Sequence, residues 1–364
     1  MAKVSFNNSN NLFFQSLKKS TDAYFKENGI KKTGNWELYA KTIILIPAAI
    51  AIYVSLLVFQ LPVIISLLLC ALLGITLASI GFNVMHDACH GSYSSKKWVN
   101  KLLGLSLNAL GGNAFIWKQK HNVLHHTYTN IEGADDDIAQ SKLLRQSPTQ
   151  AWMPIHQYQH IYLSFAYALT LFMWVSVKDF QRYFTKKIHN TPLQPMDKKE
   201  HLTFWASKVL YIVFYVLIPV LCVGPLAWLI GYVTMGVVTG IVLAYVFQLA
   251  HAVEGPEFDA VGIDDKMIET EWAVHQIKTT ANFAPNNKII SWLVGGLNFQ
   301  IEHHLFPRVS HVHYPMLSKI VQDHCRQFNL PYHCFPSVRL AVVSHVHTMK
   351  KLGMKSFGIN QGLK

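Results

Sequence analysis

Charged residues are scarce in this chain. Asp, Glu, Lys and Arg make up 14% of its 364 residues, whereas soluble proteins carry about 25%. Hydrophobic residues reach 51%. This composition excludes an ordinary soluble protein and indicates a membrane protein that is long enough to bury a core.

Cysteine is also rare, and its pattern lacks pairs. The chain has five cysteines, and no two of them form a CxxC motif. An odd number without close pairs does not suggest a disulfide framework or a thiolate metal site. We therefore expect a reduced protein that faces the cytoplasm.

Acidic residues are the scarcer charge, with 20 acids against 32 Lys and Arg and a net charge of +12. Such a balance is typical of proteins that meet nucleic acid, an anionic membrane surface or an acidic protein. Because this chain is so apolar, we interpret its positive charge as favouring an anionic membrane surface. We expect no nucleic-acid partner.

A cleavable signal peptide is not visible, because the first forty residues are polar and contain six lysines. Residues 1–40 are predicted to form a cytoplasmic N-terminal arm. No internal repeat or low-complexity linker divides the rest of the chain. Residues 41–335 are therefore predicted to form one membrane domain, followed by a cytoplasmic C-terminal tail over residues 336–364.

Four apolar stretches are long enough to cross a bilayer, which takes about 20 helical residues. Short uncharged turns join them in two pairs, whereas the N-terminus, the middle segment and the C-terminus are rich in Lys and Arg. The positive-inside rule then places those three segments in the cytoplasm. The predicted fold is all-α, with four transmembrane helices in two hairpins and a helical cytoplasmic cap. The predicted spans are residues 42–59, 63–82, 204–223 and 226–247.

A fifth apolar stretch, residues 161–177, is nearly long enough to span. If it did span, the histidines after residue 250 would lie across the bilayer from those before residue 130. We therefore interpret it as interfacial, with the basic residues that follow it at headgroup level.

Histidine is concentrated in three short windows: His86-Asp87-Ala88-Cys89-His90, residues 121–126 and residues 300–304. Seven of the nineteen histidines lie there, where a random scatter would put about one. Helical spacing of four places His86 with His90, and His121 with His125, on shared faces. The neighbouring His126, the pair His303 and His304, and His251 after the fourth span complete a set of eight. Gln300 shares a helical face with the last pair.

Eight imidazoles can serve two metal ions and leave positions open for dioxygen. Nitrogen-rich sites without thiolates favour redox-active iron, while copper and zinc remain open by ligand type alone. His275 is left outside the set. The run Asp135-Asp136-Asp137 is either an imidazole-orienting patch or a solvated acidic run. Trp117, Trp272 and Phe299 either line an apolar tunnel or serve as membrane belt and core.

These windows resemble the three histidine boxes of the membrane-bound fatty acid desaturases. HDACH, HNVLHH and QIEHH match the boxes in type, order and position, and HGSY, HTYTN and HLFPRVSHVHY follow them. The resemblance runs from about residue 40 to residue 335. Gln300 stands where many desaturases carry histidine, and in this the third window resembles the front-end group. Within the family the chain most resembles the bacterial branch labelled linoleoyl-CoA desaturase.

The resemblance implies a di-iron centre that uses dioxygen to remove two hydrogens from adjacent methylenes of a long acyl chain, linked to CoA or to a lipid. The positive-inside rule predicts that the site faces the cytoplasm, and the lack of a fused haem domain favours the bacterial inner membrane as its location. The implied ligands are His86, His90, His121, His125, His126, His251, His303 and His304, with Gln300 as a weaker candidate.

Two electrons per turnover must come from another protein. The chain has no GxGxxG fingerprint, no iron–sulfur cysteine pattern and no HPGG motif of a fused haem domain. We expect the basic cytoplasmic face to dock an acidic carrier, a ferredoxin or a cytochrome b5 type protein.

Two other functions remain open at this point. A lipid hydroxylase or related oxygenase uses similar histidine boxes. A metal transporter or sensor would place ionisable residues inside the spans, where this chain has almost none apart from Lys208.

Overall fold

The computed structural model describes residues 5–9, 11–138, 142–260, 267–268 and 270–357. Helices dominate these residues, and the strands are two or three residues long. The first helices are α1 (Leu12–Glu27), α2 (Trp36–Val58), α3 (Val63–Ile80), α4 (Asp87–His90), α5 (Lys97–Gly104), α6 (Ser106–Ala109), α7 (Ala114–Lys118), α8 (His126–Tyr128), α9 (Gln159–Ala168) and α10 (Thr170–Met173).

The second half of the chain continues the helical pattern. Its helices are α11 (Asp179–Thr185), α12 (Lys198–Ile212), α13 (Ile218–Val223), α14 (Pro225–His251), α15 (Trp272–Thr279), α16 (Lys288–Leu293), α17 (Gln300–Leu305), α18 (Tyr314–Gln327) and α19 (Val338–Leu352). Four π-helical segments continue neighbouring α-helices: Gly81–His86, Gln119–His125, Trp174–Lys178 and Val213–Leu217. Two 3₁₀ segments cover Pro154–Tyr158 and His311–His313.

The short strands pair two by two. Three pairs are parallel, and the pair β3 with β4 is antiparallel. The strands are β1 (Ser5–Phe6), β2 (Ile131–Glu132), β3 (Lys187–Ile188), β4 (Thr191–Pro192), β5 (Asp259–Ala260), β6 (Met267–Ile268), β7 (Ala281–Phe283) and β8 (His333–Phe335). They pair as β1 with β6, β2 with β5 and β7 with β8, so each parallel pair links distant parts of the chain.

Four helices among the described residues are long and apolar enough to cross a membrane. We call them the first to fourth spanning helices: Trp36–Val58, Val63–His90, Lys198–Val223 and Pro225–His251. They confirm the predicted fold class and the four predicted spans. All four helices are longer than predicted: the first and third begin six residues earlier, in polar turns, and the second and fourth continue through a histidine-bearing turn beyond their apolar stretches.

Local signals set where these helices begin. The Asn35 side chain accepts a hydrogen bond from the Glu37 amide at 2.9 Å, and Asp197 accepts one from the Glu200 amide at 2.8 Å. These caps satisfy amides that the first helical turn leaves without partners. Gly224, at φ +84°, turns the chain directly before the fourth spanning helix.

The outer faces of the spanning helices are apolar and uncovered. Val63 is 74% exposed, Ile64 73% and Leu221 75%. Continuous apolar faces of this kind are not stable in water, and a bilayer is the solvent that matches them.

The second and fourth spanning helices pack closely together. The Thr239 hydroxyl donates to the Gly74 carbonyl at 3.1 Å, and a Cβ at position 74 would lie 2.6 Å from the Met235 carbonyl oxygen. Only glycine allows this approach, which is the usual role of small residues between membrane helices.

The stretch predicted to be interfacial forms two helical pieces. Pro154–Ala168 and Thr170–Thr185 meet at an angle of 62°. A straight membrane crossing requires about 20 helical residues, and each piece is shorter than that. The interfacial placement of residues 161–177 stays a prediction.

The cap consists of α1, α15, α17, α18 and α19. Phe13 and Leu17, on one face of α1, pack with Ile277 of α15, Ile301 of α17 and Val321 of α18. The predicted N-terminal arm therefore contains a helix that covers the third histidine window. The predicted boundaries at residues 40 and 335 stay predictions.

Candidate metal centre

Two of the three histidine windows overlap π-helical turns. Gly81–His86 lies between α3 and α4 in the second spanning helix and ends at the first histidine of its window, and Gln119–His125 extends α7. A π turn adds a residue to the helical repeat and is common at functional sites. The added residue rotates the histidines that follow, and the rings of His86 and His90 lie 4.6 Å apart.

A first cluster contains His86, His90, His121 and His303. Each offers a ring nitrogen, and these four atoms lie within 4.8 Å of one another. All four side chains are buried. Nε2 of His86 is 3.2 Å from Nε2 of His121, and two nitrogens that bind one ion at about 2.1 Å stand roughly 3 Å apart.

A second cluster contains His125, His251 and His304, whose ligand atoms also lie within 4.8 Å of one another. The ring centroids of His125 and His304 are 5.0 Å apart, and those of His251 and His304 are 4.9 Å apart. The fourth spanning helix thus delivers His251 to the same place as the second and third windows.

His126 lies between the two clusters. Its ring centroid is 4.5 Å from that of His303 and 4.5 Å from that of His304. Its Nε2 atom is 3.3 Å from Nε2 of His121. The structure therefore brings together all eight predicted histidines, although their role as metal ligands stays a prediction.

Gln300 and His275 differ from these eight. Gln300 is buried at the start of α17, and its amide nitrogen has no hydrogen-bond partner within the described ranges. Its predicted ligand role stays a prediction. His275 hydrogen-bonds through Nε2 to the Thr129 carbonyl at 2.8 Å and lies outside both clusters.

Several histidines are oriented through the nitrogen that faces away from the cluster. Nδ1 of His303 contacts the Tyr314 hydroxyl at 3.0 Å, and Nδ1 of His304 contacts Oε1 of Gln276 at 2.8 Å. His251 uses Nδ1 toward the Thr279 carbonyl at 3.2 Å. Such contacts fix the ring and leave Nε2 for a metal.

An acidic side chain orients His125. Nδ1 of His125 lies 3.1 Å from Oδ2 of Asp135, and Asp135 is fully buried. Asp136 instead pairs with Arg182 at 2.6 Å. The acidic run is therefore an ordered patch, and its first residue supports a ring of the second cluster.

Burial and crowding keep most of these rings neutral. Burial, together with the neighbouring histidines, lowers the pKa of His121, His126, His303 and His304 well below the usual value. Burial alone would also lower the pKa of His125, but the Asp135 carboxylate raises it above the usual value. Neutral imidazole is the form that binds metals.

The clusters contain buried nitrogens without hydrogen-bond partners. Within the part of the chain that the structure describes, these atoms are Nε2 of His90, His251, His303 and His304 and Nδ1 of His86 and His126. A buried polar atom left unpaired costs about 1–3 kcal/mol. Several such atoms that converge on one place fit metal ions, which would satisfy them together.

An apolar cavity opens on the first cluster. Its wall includes His86, Met85, Trp117, Trp174 and Tyr211, and it extends between the second, third and fourth spanning helices. The Trp117 ring stacks on His121 with centroids 4.3 Å apart. The sequence left open whether Trp117 lines an apolar tunnel or belongs to the membrane belt or core. In the structure Trp117 lines the apolar cavity.

The other two aromatics of that prediction lie elsewhere. Nε1 of Trp272 donates to the His126 carbonyl at 3.1 Å, and Phe299 is in a core cluster with Phe25 and Tyr314. Neither is part of the cavity wall.

Comparison with known proteins gives the family. The sequence model of the fatty acid desaturases matches residues 61–336, which include all eight histidines. The chain belongs to the fatty acid desaturase family. It is therefore an oxidoreductase, and acyl desaturation is the activity of its family.

Similar proteins cover nearly the whole desaturase chain. An sn-1 linoleoyl-lipid 6-desaturase of Arthrospira platensis is 37% identical over 97% of this chain and 95% of its own length. A protein of the same name from Synechocystis sp. is 35% identical over 94% of this chain and 96% of its own. An acyl-lipid (8-3)-desaturase of Physcomitrium patens is 33% identical over 96% of this chain and 73% of its own.

One part of the site was missed by sequence reasoning. Lys41 Nζ lies 2.9 Å from Nε2 of His311 and 3.0 Å from Oδ1 of Asn83, and Nδ1 of His311 lies 3.1 Å from Asp87. The Ser310 hydroxyl also donates to Asp87 at 2.7 Å. This network ties the first window to the segment after the third, and only the histidines of that segment hinted at it.

Proposed function

We propose that this desaturase is a di-iron, dioxygen-dependent enzyme that introduces a cis double bond into a long-chain acyl group of a membrane lipid. One observation carries the proposal: two clusters of buried histidines lie side by side, and the first of them borders, through His86, an apolar cavity between membrane helices. The proposed substrate is an acyl chain that resides in the lipid bilayer, so its binding site must open toward the bilayer.

We propose iron because the reaction needs a redox-active ion, which zinc is not, and because the family resemblance implies a di-iron centre. The eight side chains are imidazoles without thiolates, and the cysteines closest in sequence to the windows do not join them. The first cluster would hold one ion and the second the other, with His126 between them. Bound there, iron would activate dioxygen and supply the oxidising power that removes two hydrogens from adjacent methylenes.

The residues around the clusters position and shield the reaction. The cavity wall excludes water and holds the acyl chain by apolar contact beside His86. Asp135, Gln276 and Tyr314 fix ring orientations, so the ligand geometry is set before substrate arrives.

Front-end selectivity and a lipid-linked substrate are the finer parts of the proposal. Gln300 in the third box supports front-end action, in which the new double bond lies between an existing one and the carboxyl end. The names of the similar cyanobacterial and moss proteins specify lipid-linked acyl chains. We propose the same substrate class here in preference to acyl-CoA.

We further propose that the site faces the cytoplasm of a bacterial inner membrane and receives electrons from a ferredoxin or cytochrome b5 type carrier. The desaturation of one bond with one dioxygen yields two waters and therefore needs two electrons and two protons besides the two substrate hydrogens. The positive-inside rule and the net charge of +12 support this side and an acidic carrier.

Expression in a host of known lipid composition tests the proposal. Mass spectrometry of the extracted lipids should find new double bonds on acyl chains, and the purified protein should contain about two iron ions. Hydroxy fatty acids in their place would favour an oxygenase. Active protein without iron would contradict the di-iron site.

A further inference from the structure

Lys208 is a buried ionisable residue of the third spanning helix, four residues after the apolar stretch begins at Phe204. It lies ten residues, or about 15 Å, from the start of that helix, and it is 5% exposed. A buried amine in a spanning helix is costly, and such residues usually mark a function. The histidine clusters do not use it.

The Lys208 ammonium binds three groups from other segments. It donates to Oδ2 of Asp179 at 3.1 Å, to the Gly111 carbonyl at 2.6 Å and to the Val175 carbonyl at 3.1 Å. These contacts match the three hydrogens of an ammonium group. One side chain thus joins the turn after α6 to the π turn that precedes α11.

The segments held in this way form part of the cavity wall. Gly112, Trp174 and Val175 line the cavity, and Nε1 of Trp174 donates to Oδ1 of Asp179 at 3.1 Å. Trp174 also packs against the group of Met85 and Trp117, beside the first cluster. The ion pair therefore fixes an aromatic ring in the wall close to the reacting end of the cavity.

The wall has little else that could define the register of an acyl chain. The lining is largely apolar, so its shape must select which carbons lie next to the clusters. In an apolar site one methylene changes selectivity by about 10- to 200-fold. A wall that is held by an ion pair and three further hydrogen bonds keeps that shape.

We propose that Lys208 and Asp179 are positioning residues that hold Trp174 in the cavity wall and thereby determine the position of the new double bond. The inference rests on the proposed function, because it takes the cavity as the acyl site. A purely structural ion pair would affect protein yield but not the position of the double bond.

The decisive variant is Lys208→Met combined with Asp179→Asn. It removes both charges together, so no unpaired charge stays buried, and it roughly preserves side-chain volume. In the full-length protein, the share of products with the double bond at a neighbouring carbon should rise about tenfold. Iron content per protein should not change.

The control is Arg326→Met combined with Asp323→Asn. This pair, 2.9 Å apart, lies on the exposed surface of α18, with side chains 74% and 61% exposed. It loses the same kinds of charge and should retain the wild-type double-bond position.

Asp179→Glu alone provides a milder second test, because it keeps both charges of the buried pair and moves the carboxylate that holds Trp174 by one methylene. It should shift the position in the same direction by about threefold, and it decides the question if the double variant fails to accumulate. An unchanged product pattern in the variants would overturn the inference. Wild-type protein that forms no double bonds would instead refute the proposed function.

Discussion

Each oriented imidazole of the centre has two distinct tasks at its two nitrogens. Nδ1 of His303 contacts Tyr314, and Nδ1 of His304 contacts Gln276. The Nε2 atoms of both rings have no partner among the residues described. This division makes the ring rigid on one side and available on the other, so the site is prepared before metal arrives.

His125→Ala should abolish the new double bond, because it removes a member of the second cluster that no neighbour replaces. Iron per protein should fall, while the amount of protein in the membrane should be retained. Lipid analysis and metal analysis of the same membranes measure both. His347→Ala, at a side chain that is 63% exposed, is the matched control, and retained product in His125→Ala would count against the assignment.

Tyr314→Phe should lower activity or iron affinity by about 10- to 100-fold. The change removes only the hydroxyl that holds Nδ1 of His303 at 3.0 Å. Turnover and iron retention under chelator titration are the measurements. Tyr162→Phe, which loses hydroxyl contacts to loop carbonyls outside the clusters, should behave like the wild type; equal behaviour of both variants would argue against an orienting role.

The sequence identified the histidines but not the groups that orient them. Clustering and helical spacing are local properties, and His86, His121 and His303 could be chosen from them. Thr279 and Gln276 contact their histidines only through tertiary folding, and Gln276 carries no local sign of its role. Whether Asp135 orients a histidine or faces solvent depends on whether its side chain is buried. A sequence pattern does not contain that information.

At the level of secondary-structure elements, two of the apolar spanning helices continue without a break into turns that carry histidines of the clusters. The second spanning helix runs to His90 and the fourth to His251, so two continuous helices connect the predicted spans to the histidine clusters. Sequence reasoning ended these spans with their apolar stretches, at residues 82 and 247. The extensions are polar turns, and hydropathy does not distinguish a continued helix from a loop there.

Gly74→Val should loosen the contact between these two helices. A Cβ at this position would lie 2.6 Å from the Met235 carbonyl oxygen, so the helices must separate, at a cost of about 1–3 kcal/mol. Thermal unfolding in detergent should shift to lower temperature and activity should fall with it. Leu68→Val, at a lipid-facing residue of the same helix that is 65% exposed, should leave both unchanged; a stable Gly74→Val variant would disprove the tight contact.

At the level of the whole molecule, four apolar spanning helices are joined to segments that are rich in Lys and Arg. The uncharged turns of both hairpins lie at the ends opposite the histidine clusters, as the predicted topology requires. The proposed electron carrier must then approach the side that holds the cap. Exposed lysines of α1, among them Lys18 and Lys26, belong to that side.

Turnover should fall about tenfold as ionic strength rises, when the carrier is held below saturation. Salt shortens the reach of surface charges to about 10 Å at 0.1 M and less at higher concentrations. Steady-state rates measured across a salt series test this, with saturating carrier as the control in which encounter no longer limits the rate. Rates that are insensitive to salt in both series would exclude electrostatic docking.

The first cluster joins His86 to His303, and this has a consequence for biosynthesis. A ribosome must add 217 residues after His86 before the last partner of that cluster, His303, exists. The nascent chain therefore cannot trap metal in its final coordination while its early helices enter the bilayer. Loading of the proposed iron must then follow the docking of the cap, so we expect a cell starved of iron to accumulate fully inserted apoprotein that can be activated later without new translation.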